Sequence, residues 1–444
     1  MSRQISHLMQ RELDRFATTH QRSRELRDAA DGALLAGVPM NWMTRWPGTY
    51  PIVFASAEGN RLTDVDGNSY VDFCLGDTGA MSGHSPAPTV AAAERRLRHG
   101  ITTMLPSEDA GPVGEEMSRR FGLRHWQFTL SATDANRFVL RICREITGRP
   151  KILVFNHCYH GSVDETVATI ADGRPAPRLG NVGPPVPIAE TTRVVEFNDL
   201  AALEAELAHG DVACVLTEPA LTNIGIVLPD PGFHDALRGL TRAAGTLLVI
   251  DETHTLCCGP GGYTAEHGLE PDLLTIGKAI AGGIPTGAYG MSDAVAERIL
   301  ERTVWEAADV GGVGGTLAGN ALSLAAARAT LAEVLTAEAF ARMTSLGERF
   351  AAGVDEVIAA HDLDWQATRL GCRVEYMFSR RPPRSGGEAA AAFDADLDAL
   401  LHLYMLNRGI LMTPFHMMAL ICPTTTAADV DAHTEALAEI AAEL

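Results

Sequence analysis

From about residue 108 to residue 330 the chain repeats one hydropathic pattern. Short apolar runs alternate with longer Ala-rich segments whose apolar positions recur every three or four residues. The runs are KILVF (151–155), VACVLT (212–217), TLLVID (246–251) and DLLTIG (272–277). The segments DLAALEAELAHG (199–210) and GFHDALRGLTRAAG (232–245) between them read as amphipathic helices. Strands without polar alternation are covered on both faces, so the alternation predicts a mainly parallel sheet layered by helices.

The flanks read differently. Residues 1–35 mix charged and apolar positions at helical spacing and predict a helix. Residues 50–75 predict strands broken by the turn signals EGN and VDGN. Residues 320–352 predict one long helix. The last hundred residues mix helices with two strands, RVEYMF (373–378) and MMALICP (417–423), and predict a second α+β unit. The expectation is an α/β fold. A large domain spans 76–325, and a smaller one is built from both termini, 1–75 and 326–444. Two Pro/Gly-rich stretches stand out. The first, 173–187, is too long for a casual connection and is expected to be a functional loop. The second, 379–391, is expected to be an exposed loop.

Composition narrows the function. A chain of 444 residues is long enough for two cores. A net charge of −20 argues against a nucleic-acid surface, which needs clustered Lys and Arg. No apolar run reaches the ~18 residues of a membrane span. The opening MSRQISHLMQRELDRF is charged and has no signal-peptide core. The eight cysteines have no zinc-like pairing with histidine and read as reduced thiols, so no metal site is expected. A cytoplasmic protein is the resulting expectation.

The chemistry sits at the strand ends, where parallel sheets bind ligands. Asp251 closes TLLVID, and Lys278 follows DLLTIG. Most lone lysines are solvated surface residues. Lys278 is preceded by an apolar run and followed by AIAGG, so its amine is desolvated unless bonded, and burial makes a lysine nucleophilic. A Schiff-base lysine beside a carboxylate that can pair with a pyridinium nitrogen points to pyridoxal 5′-phosphate. Its phosphate needs an anion cradle. SATDAN (131–136) supplies small hydroxyl residues at a helix start, although alone it would read as an ordinary N-cap.

The order of these pieces raises their weight: SATDAN, then YHG (159–161), Glu218-Pro219, Asp251-Glu252, Lys278 and GGTLAGN (314–320). The set resembles the class III, fold-type I pyridoxal-phosphate aminotransferases over roughly residues 35–440. It is most similar to the branch holding glutamate-1-semialdehyde aminomutases and β-amino-acid aminotransferases. The stretch TEPALTNIGIVLPDPGFHDALRGLTRAAGTLLVIDE is its most specific part.

The resemblance implies roles. Lys278 holds the cofactor as a Schiff base and then moves protons. Asp251 keeps the pyridine nitrogen protonated. Ser131, Ala132 and Thr133 bind the phosphate, Tyr159 stacks on the ring, and Glu218 orients its O3′ region. Thr316 reaches the partner's phosphate across a homodimer interface.

The chain departs from the family pattern in places. Ala132 replaces a glycine, which requires a negative φ there. Thr253 stands against the ring where an apolar side chain is usual. His254 follows it, either as a partner of Asp251 or as a satisfied polar residue. The usual arginine after a proline of the C-terminal domain is replaced by Phe415 and His416. Candidates for substrate contact are therefore Trp42, Arg45, Arg373 and His416. Arg373 reads rather as a structural ion pair with Glu375 or a surface charge, and Arg45 equally as an exposed loop arginine stacked on tryptophan. His84 reads as structural.

The expected activity is ping-pong transfer of an amino group from an amino acid or primary amine to a 2-oxo acid. The alternative is an aminomutase, in which one substrate gives and receives the amine. A decarboxylase or racemase would share the site. A cofactor-binding regulator lacks a DNA-binding unit here, and a nicotinamide fold lacks its GxGxxG.

Overall fold

The computed structural model describes residues 3–301 and 312–444. The chain divides into two compact units: Met1–Pro86, Ala341–Pro382 and Ala392–Leu444 form one, and Ala87–Phe340 with Pro383–Ala391 the other.

The strands run in chain order as follows. β1 (Phe54–Glu58), β2 (Arg61–Asp64) and β3 (Ser69–Asp72) belong to the smaller unit. The larger unit contributes β4 (His125–Thr129), β5 (Lys151–Phe155), β6 (Ala168–Ala171), β7 (Arg174–Pro177), β8 (Thr192–Val195), β9 (Val212–Thr217), β10 (Leu247–Asp251), β11 (Leu273–Ile276) and β12 (Gly287–Met291). The chain then returns to the smaller unit with β13 (Gln366–Leu370), β14 (Arg373–Met377), β15 (Ile410–Leu411) and β16 (Met418–Leu420).

The large sheet has the order β4-β12-β11-β10-β9-β5-β8. Neighbours from β11 through β8 pair in parallel, and β12 is antiparallel to both β11 and β4. Every residue of β9, β10, β11 and β12 is buried, which is why their sequences carry no polar alternation. The helix Ala132–Thr147 packs along β4, β9, β11 and β12 and buries Phe138, Val139, Leu140, Ile142 and Ile146.

In the smaller unit β1-β2-β3-β15 form one sheet and β13-β14-β16 another. Phe16, Tyr70, Leu403, Leu406 and Leu411 make a core between the N-terminal helix and the last hundred residues. The smaller unit is thus built from both ends of the chain.

Four details differ from the sequence expectations. First, the units divide after Pro86 and Phe340 rather than at 76 and 326. Residues 73–86 stay with the smaller unit because Phe73 bonds to Leu411 and Leu420, and His84 bridges Gly59. The helix Ala321–Ala329 stays with the larger unit because it packs on the helix Ala87–Leu97.

Second, the expected helix over 320–352 is two helices, Ala321–Ala329 and Ala337–Ala360, joined by a wide turn at Thr330–Val334. The buried Arg120 guanidinium donates to the carbonyls of Leu331 and Leu335 at 2.7 and 2.9 Å, supplying donors where the helical ladder stops. Third, the expected N-terminal helix is two helices, Arg3–Thr19 and Gln21–Ala30, and its first two residues lie outside the described ones.

Fourth, 379–391 is not wholly an exposed loop. It contains the helix Gly386–Ala391, whose Gly386 is buried. The Gly387 N–H donates to Glu196 at 3.2 Å, and Arg384 pairs with Asp230. The 173–187 stretch begins in the β6–β7 hairpin.

Candidate active site

Strand β11 runs beside β10 in a register that sets Thr275 opposite Asp251. Gly277 continues in extended conformation, and Lys278 then turns into the left-handed region at φ +54°. That conformation costs a non-glycine residue about 1–2 kcal/mol and persists only where its surroundings dictate it. A Cβ at Gly277 would lie 2.9 Å from the Ala132 backbone nitrogen. Only a bare backbone lets β11 end this close to the start of the helix Ala132–Thr147.

Asp251 is buried, and its carboxylate is fully engaged. Oδ2 accepts from Asn136 Nδ2 at 2.8 Å and from His160 Nδ1 at 2.9 Å, and Oδ1 accepts the Thr253 N–H at 3.0 Å. Burial pushes this carboxyl up, but His160, Thr253 and Asn136 outweigh burial and hold it below the usual carboxylate value. Burial also works against a charged His160. Cys158 and Asp251 outweigh it and raise the imidazole well above its usual value. The pair is therefore a carboxylate and an imidazolium. Asn136 is itself fixed, accepting from Thr275 Oγ1 at 2.6 Å and donating to the His160 carbonyl at 3.1 Å.

The helix Ala132–Thr147 starts on Ser131, whose Oγ accepts the Asp134 N–H at 3.2 Å. Ala132 lies within the helix and is absent from the residues with positive φ, so its methyl group is tolerated. The N–H groups of Ala132 and Thr133, in the first turn, have no intrahelical acceptor and face outward along the helix dipole. Three glycines crowd this end. A Cβ at Gly161 would overlap Thr133, one at Gly287 would overlap Ser131, and Gly277 meets Ala132. The result is a backbone cradle at the positive end of a helix, the standard form of a phosphate site.

Glu218 is buried after β9. It accepts the N–H groups of Tyr159 at 3.3 Å and Thr222 at 3.1 Å, and the Thr222 hydroxyl. Burial raises its pKa. Tyr159 is 40% exposed. The buried Thr253 hydroxyl has no hydrogen-bond partner among the described residues. Thr316 is exposed.

His254 bonds Lys278 rather than Asp251: its Nε2 stands 2.8 Å from Nζ. The other sequence signals that carried no role were Asn136, hidden inside the phosphate-cradle motif, and His160, the middle residue of YHG.

The four candidates for substrate contact lie in the smaller unit. Trp42 packs edge-on against Phe415 at 5.2 Å, and Arg45 is exposed. Arg373 is fully buried on β14, 3.6 Å from Glu375, whose other oxygen lies 2.9 Å from His416 Nδ1. Arg373 and His416 thus both meet Glu375. His84 bonds Asp72 at 2.7 Å.

The family described as aminotransferase class-III matches residues 42–440. The chain belongs to the class III aminotransferases. Among curated relatives, a glutamate-1-semialdehyde 2,1-aminomutase of Anaeromyxobacter sp. (strain Fw109-5) is 32% identical over 86% of this chain and 88% of its own. A solved glutamate-1-semialdehyde-aminomutase from Pseudomonas aeruginosa PAO1 is 52% identical over 99% of this chain and 98% of its own, with a TM-score of 0.97. A lysine-to-alanine form of it was solved in complex with PMP. A β-phenylalanine aminotransferase from Variovorax paradoxus is 28% identical over 98% of this chain and 97% of its own, with a TM-score of 0.87.

The cofactor of this class III aminotransferase fold is pyridoxal 5′-phosphate, and the residues present fit it. The glycine-walled helix start is a cradle any Cβ would fill, the buried carboxylate is charged, and the amine stands at the neighbouring strand end. Among the described residues no helix is long and apolar enough to cross a membrane, and no cluster of His, Cys, Asp and Glu could hold a metal ion.

Proposed function

We propose that this protein moves an amino group within one substrate, as a glutamate-1-semialdehyde 2,1-aminomutase does. The observation that carries the reading is the 52% identity, over 99% of the chain, to a structure of that name. Moving the amine from C2 to C1 of glutamate 1-semialdehyde gives 5-amino-4-oxopentanoate with no change in formula.

Pyridoxal 5′-phosphate, when bound, supplies an aldehyde that condenses with amines and a ring that withdraws electrons. The protein supplies the rest. The N–H groups of Ala132 and Thr133 and the Ser131 hydroxyl hold the phosphate. Asp251, kept anionic by His160 and Asn136, holds a proton on the ring nitrogen. Tyr159 covers one face, and Glu218 fixes the Tyr159 backbone. Lys278 Nζ takes the proton from the carbon that bears the amine and returns it at the second position. Thr253 lies beside Asp251 against the ring. Thr316 serves the site of a second copy in a homodimer, whereas Arg373 and His416 are held at Glu375 inside the smaller unit. The eight cysteines stand in no disulfide, in keeping with a reducing, cytoplasmic setting.

Ping-pong transfer between an amine and an oxo acid is the second reading, favoured by the likeness to the β-phenylalanine aminotransferase. The test is to give purified enzyme glutamate 1-semialdehyde alone. Sustained formation of 5-amino-4-oxopentanoate supports the mutase. Turnover only when both an amino donor and an oxo acid are added overturns it in favour of the transferase.

A further inference from the structure

A substrate carboxylate calls for an arginine, and Arg373 cannot answer, since it is fully buried beside Glu375. The larger unit carries another. Arg178 follows β7 directly, inside the Pro/Gly-rich stretch 173–187. Its backbone is fixed. The Arg178 N–H donates to the Val167 carbonyl at 3.1 Å, and its carbonyl accepts the Asn181 N–H at 2.9 Å. The Asn181 side chain closes the loop on the carbonyls of Asp164 and Val167, both at 3.0 Å.

The guanidinium lies against the peptide that carries Tyr159. Nη1 donates to the Cys158 carbonyl at 2.6 Å. The N–H of that same peptide group, on Tyr159, donates to Glu218 at 3.3 Å. One peptide is therefore held at both ends, by a carboxylate after β9 and by a cation after β7. Nε and Nη2 form the edge that grips a carboxylate bidentately. They have no acceptor among the described residues, and neither is shut away from solvent. The carboxylates at the strand ends are engaged elsewhere. Glu196, after β8, accepts from Asn156 at 2.6 Å, and Glu218 accepts from Tyr159 and Thr222. The half-buried His157 brings no counter-charge: burial, then the Arg178 charge, hold its imidazole below the usual value.

We propose that Arg178 receives the carboxylate of the substrate and sets a preference for acids over their neutral counterparts. The fork closes on both carboxylate oxygens through Nε and Nη2, while Nη1 keeps its hold on Cys158. A carboxylate entering the site is thereby paired rather than desolvated alone. One side chain fixes the peptide that carries Tyr159 and reads the acid group of the molecule bound beside it. The inference rests on the reading that the cofactor sits at Lys278 and Tyr159, and on a substrate with a carboxylate, as glutamate 1-semialdehyde has.

The test compares an acid with its neutral ester on the cofactor-loaded protein, reading loss of the visible absorbance as the amine is taken up. One pair is 5-amino-4-oxopentanoate and its methyl ester, the other 3-amino-3-phenylpropanoate and its methyl ester. The wild type should favour the acid roughly 100-fold, and Arg178→Gln should bring acid and ester within about threefold of each other. Arg178→Lys keeps the charge without the fork and should retain roughly tenfold. Arg174→Gln, exposed on the same hairpin, should keep the wild-type ratio. An equal loss for acid and ester in Arg178→Gln, which a grip on Tyr159 alone would give, overturns the proposal. A second readout needs no turnover. In the cofactor-free protein, phenylglyoxal labelling of Arg178 is followed by mass spectrometry with an excess of the matching amine-free acid, 4-oxopentanoate or 3-phenylpropanoate. The acid should slow labelling severalfold and its methyl ester should not; equal labelling with both overturns the proposal. If the wild type reacts only with the phenylpropanoate pair, the aminomutase reading falls and that pair decides the role of Arg178. If no acid reacts, or acid and ester react alike in the wild type, the carboxylate role falls.

Discussion

The His160 Nδ1 nitrogen stands 2.9 Å from Asp251 Oδ2, with both side chains shut away from solvent. Breaking a buried pair by removing one partner costs about 3–5 kcal/mol, because it strands the other charge. His160→Leu is therefore expected to lower the melting temperature and raise the Asp251 carboxyl toward its protonated form. A protonated Asp251 no longer holds the ring nitrogen's proton, so turnover falls roughly 100-fold and cofactor binds more weakly. Cofactor titration followed by absorbance, together with turnover, checks both. Wild-type values in both would show that Asn136 and Thr253 suffice.

The cradle makes a second prediction. Gly161 has φ +80°, and a Cβ there would overlap Thr133. Gly161→Ala should cost about 1–3 kcal/mol and weaken binding of both cofactor and inorganic phosphate. Gly148 closes the other end of the same helix at φ +68° with nothing within 4 Å of a Cβ. Gly148→Ala should cost about 1 kcal/mol and leave cofactor affinity unchanged. Equal affinity losses in the two variants would remove the cradle's special role.

Lys278 carries left-handed strain at φ +54°, which glycine would relieve. Lys278→Gly should be more stable to unfolding than Lys278→Ala by about 1 kcal/mol, with neither retaining activity. Thermal melts of the two variants, both cofactor-free, measure the difference. An alanine variant as stable as the glycine one would mean the turn relaxes when the side chain is lost.

Lys278 and Asp251 were legible in the sequence because strand ends are legible. An apolar run that stops at a charge marks both the end of the strand and the side chain placed there. Asn136 and His160 were not. Each is a polar residue in an unremarkable setting, and each gains its role only where helix, loop and strand meet at Asp251. His254 illustrates the limit more sharply. Three residues from Asp251, it reads either as a partner of that carboxylate or as a satisfied polar residue, yet the parallel register of β10 and β11 hands it to Lys278, 24 positions away. The break at 330–334 carried no glycine or proline to announce it. Its cause is Arg120, some 210 residues earlier in the chain.

That arginine gives a fourth prediction. Arg120 is 6% exposed and donates to the carbonyls of Pro260, Leu331 and Leu335 as well as to Glu116. Arg120→Met keeps much of the volume but strands three acceptors, at about 1–3 kcal/mol for each one left fully buried. The expected result is a lower melting temperature and faster amide exchange across 330–336. Wild-type exchange in that segment would mean that water replaces the guanidinium.

The smaller unit has two buried histidines that respond to pH in opposite senses. His402 touches the carbonyls of Asp398, Thr413 and His416, and the Asp398 carboxylate lies 3.4 Å away. Burial works against its charge, but Asp398 and those carbonyls outweigh it and raise the pKa from 6.5 to about 9. Its stabilisation is fully present below pH 6.5 and is lost as pH rises through 9. His433 packs among Phe73, Phe350 and Tyr376, and burial lowers its pKa from 6.5 to about 3. It must stay neutral, so the fold loses stability as pH falls from 6.5 toward 3. The shifts correspond to about 3 kcal/mol for His402 and about 5 kcal/mol for His433 at most. Melting temperature should therefore decline on both sides of a maximum near pH 6.5. His402→Gln should flatten the decline between pH 7 and 9, and His433→Phe the decline between pH 6 and 4. A His402→Gln melting curve as steep as the wild type's above pH 7 would assign the alkaline loss to another group.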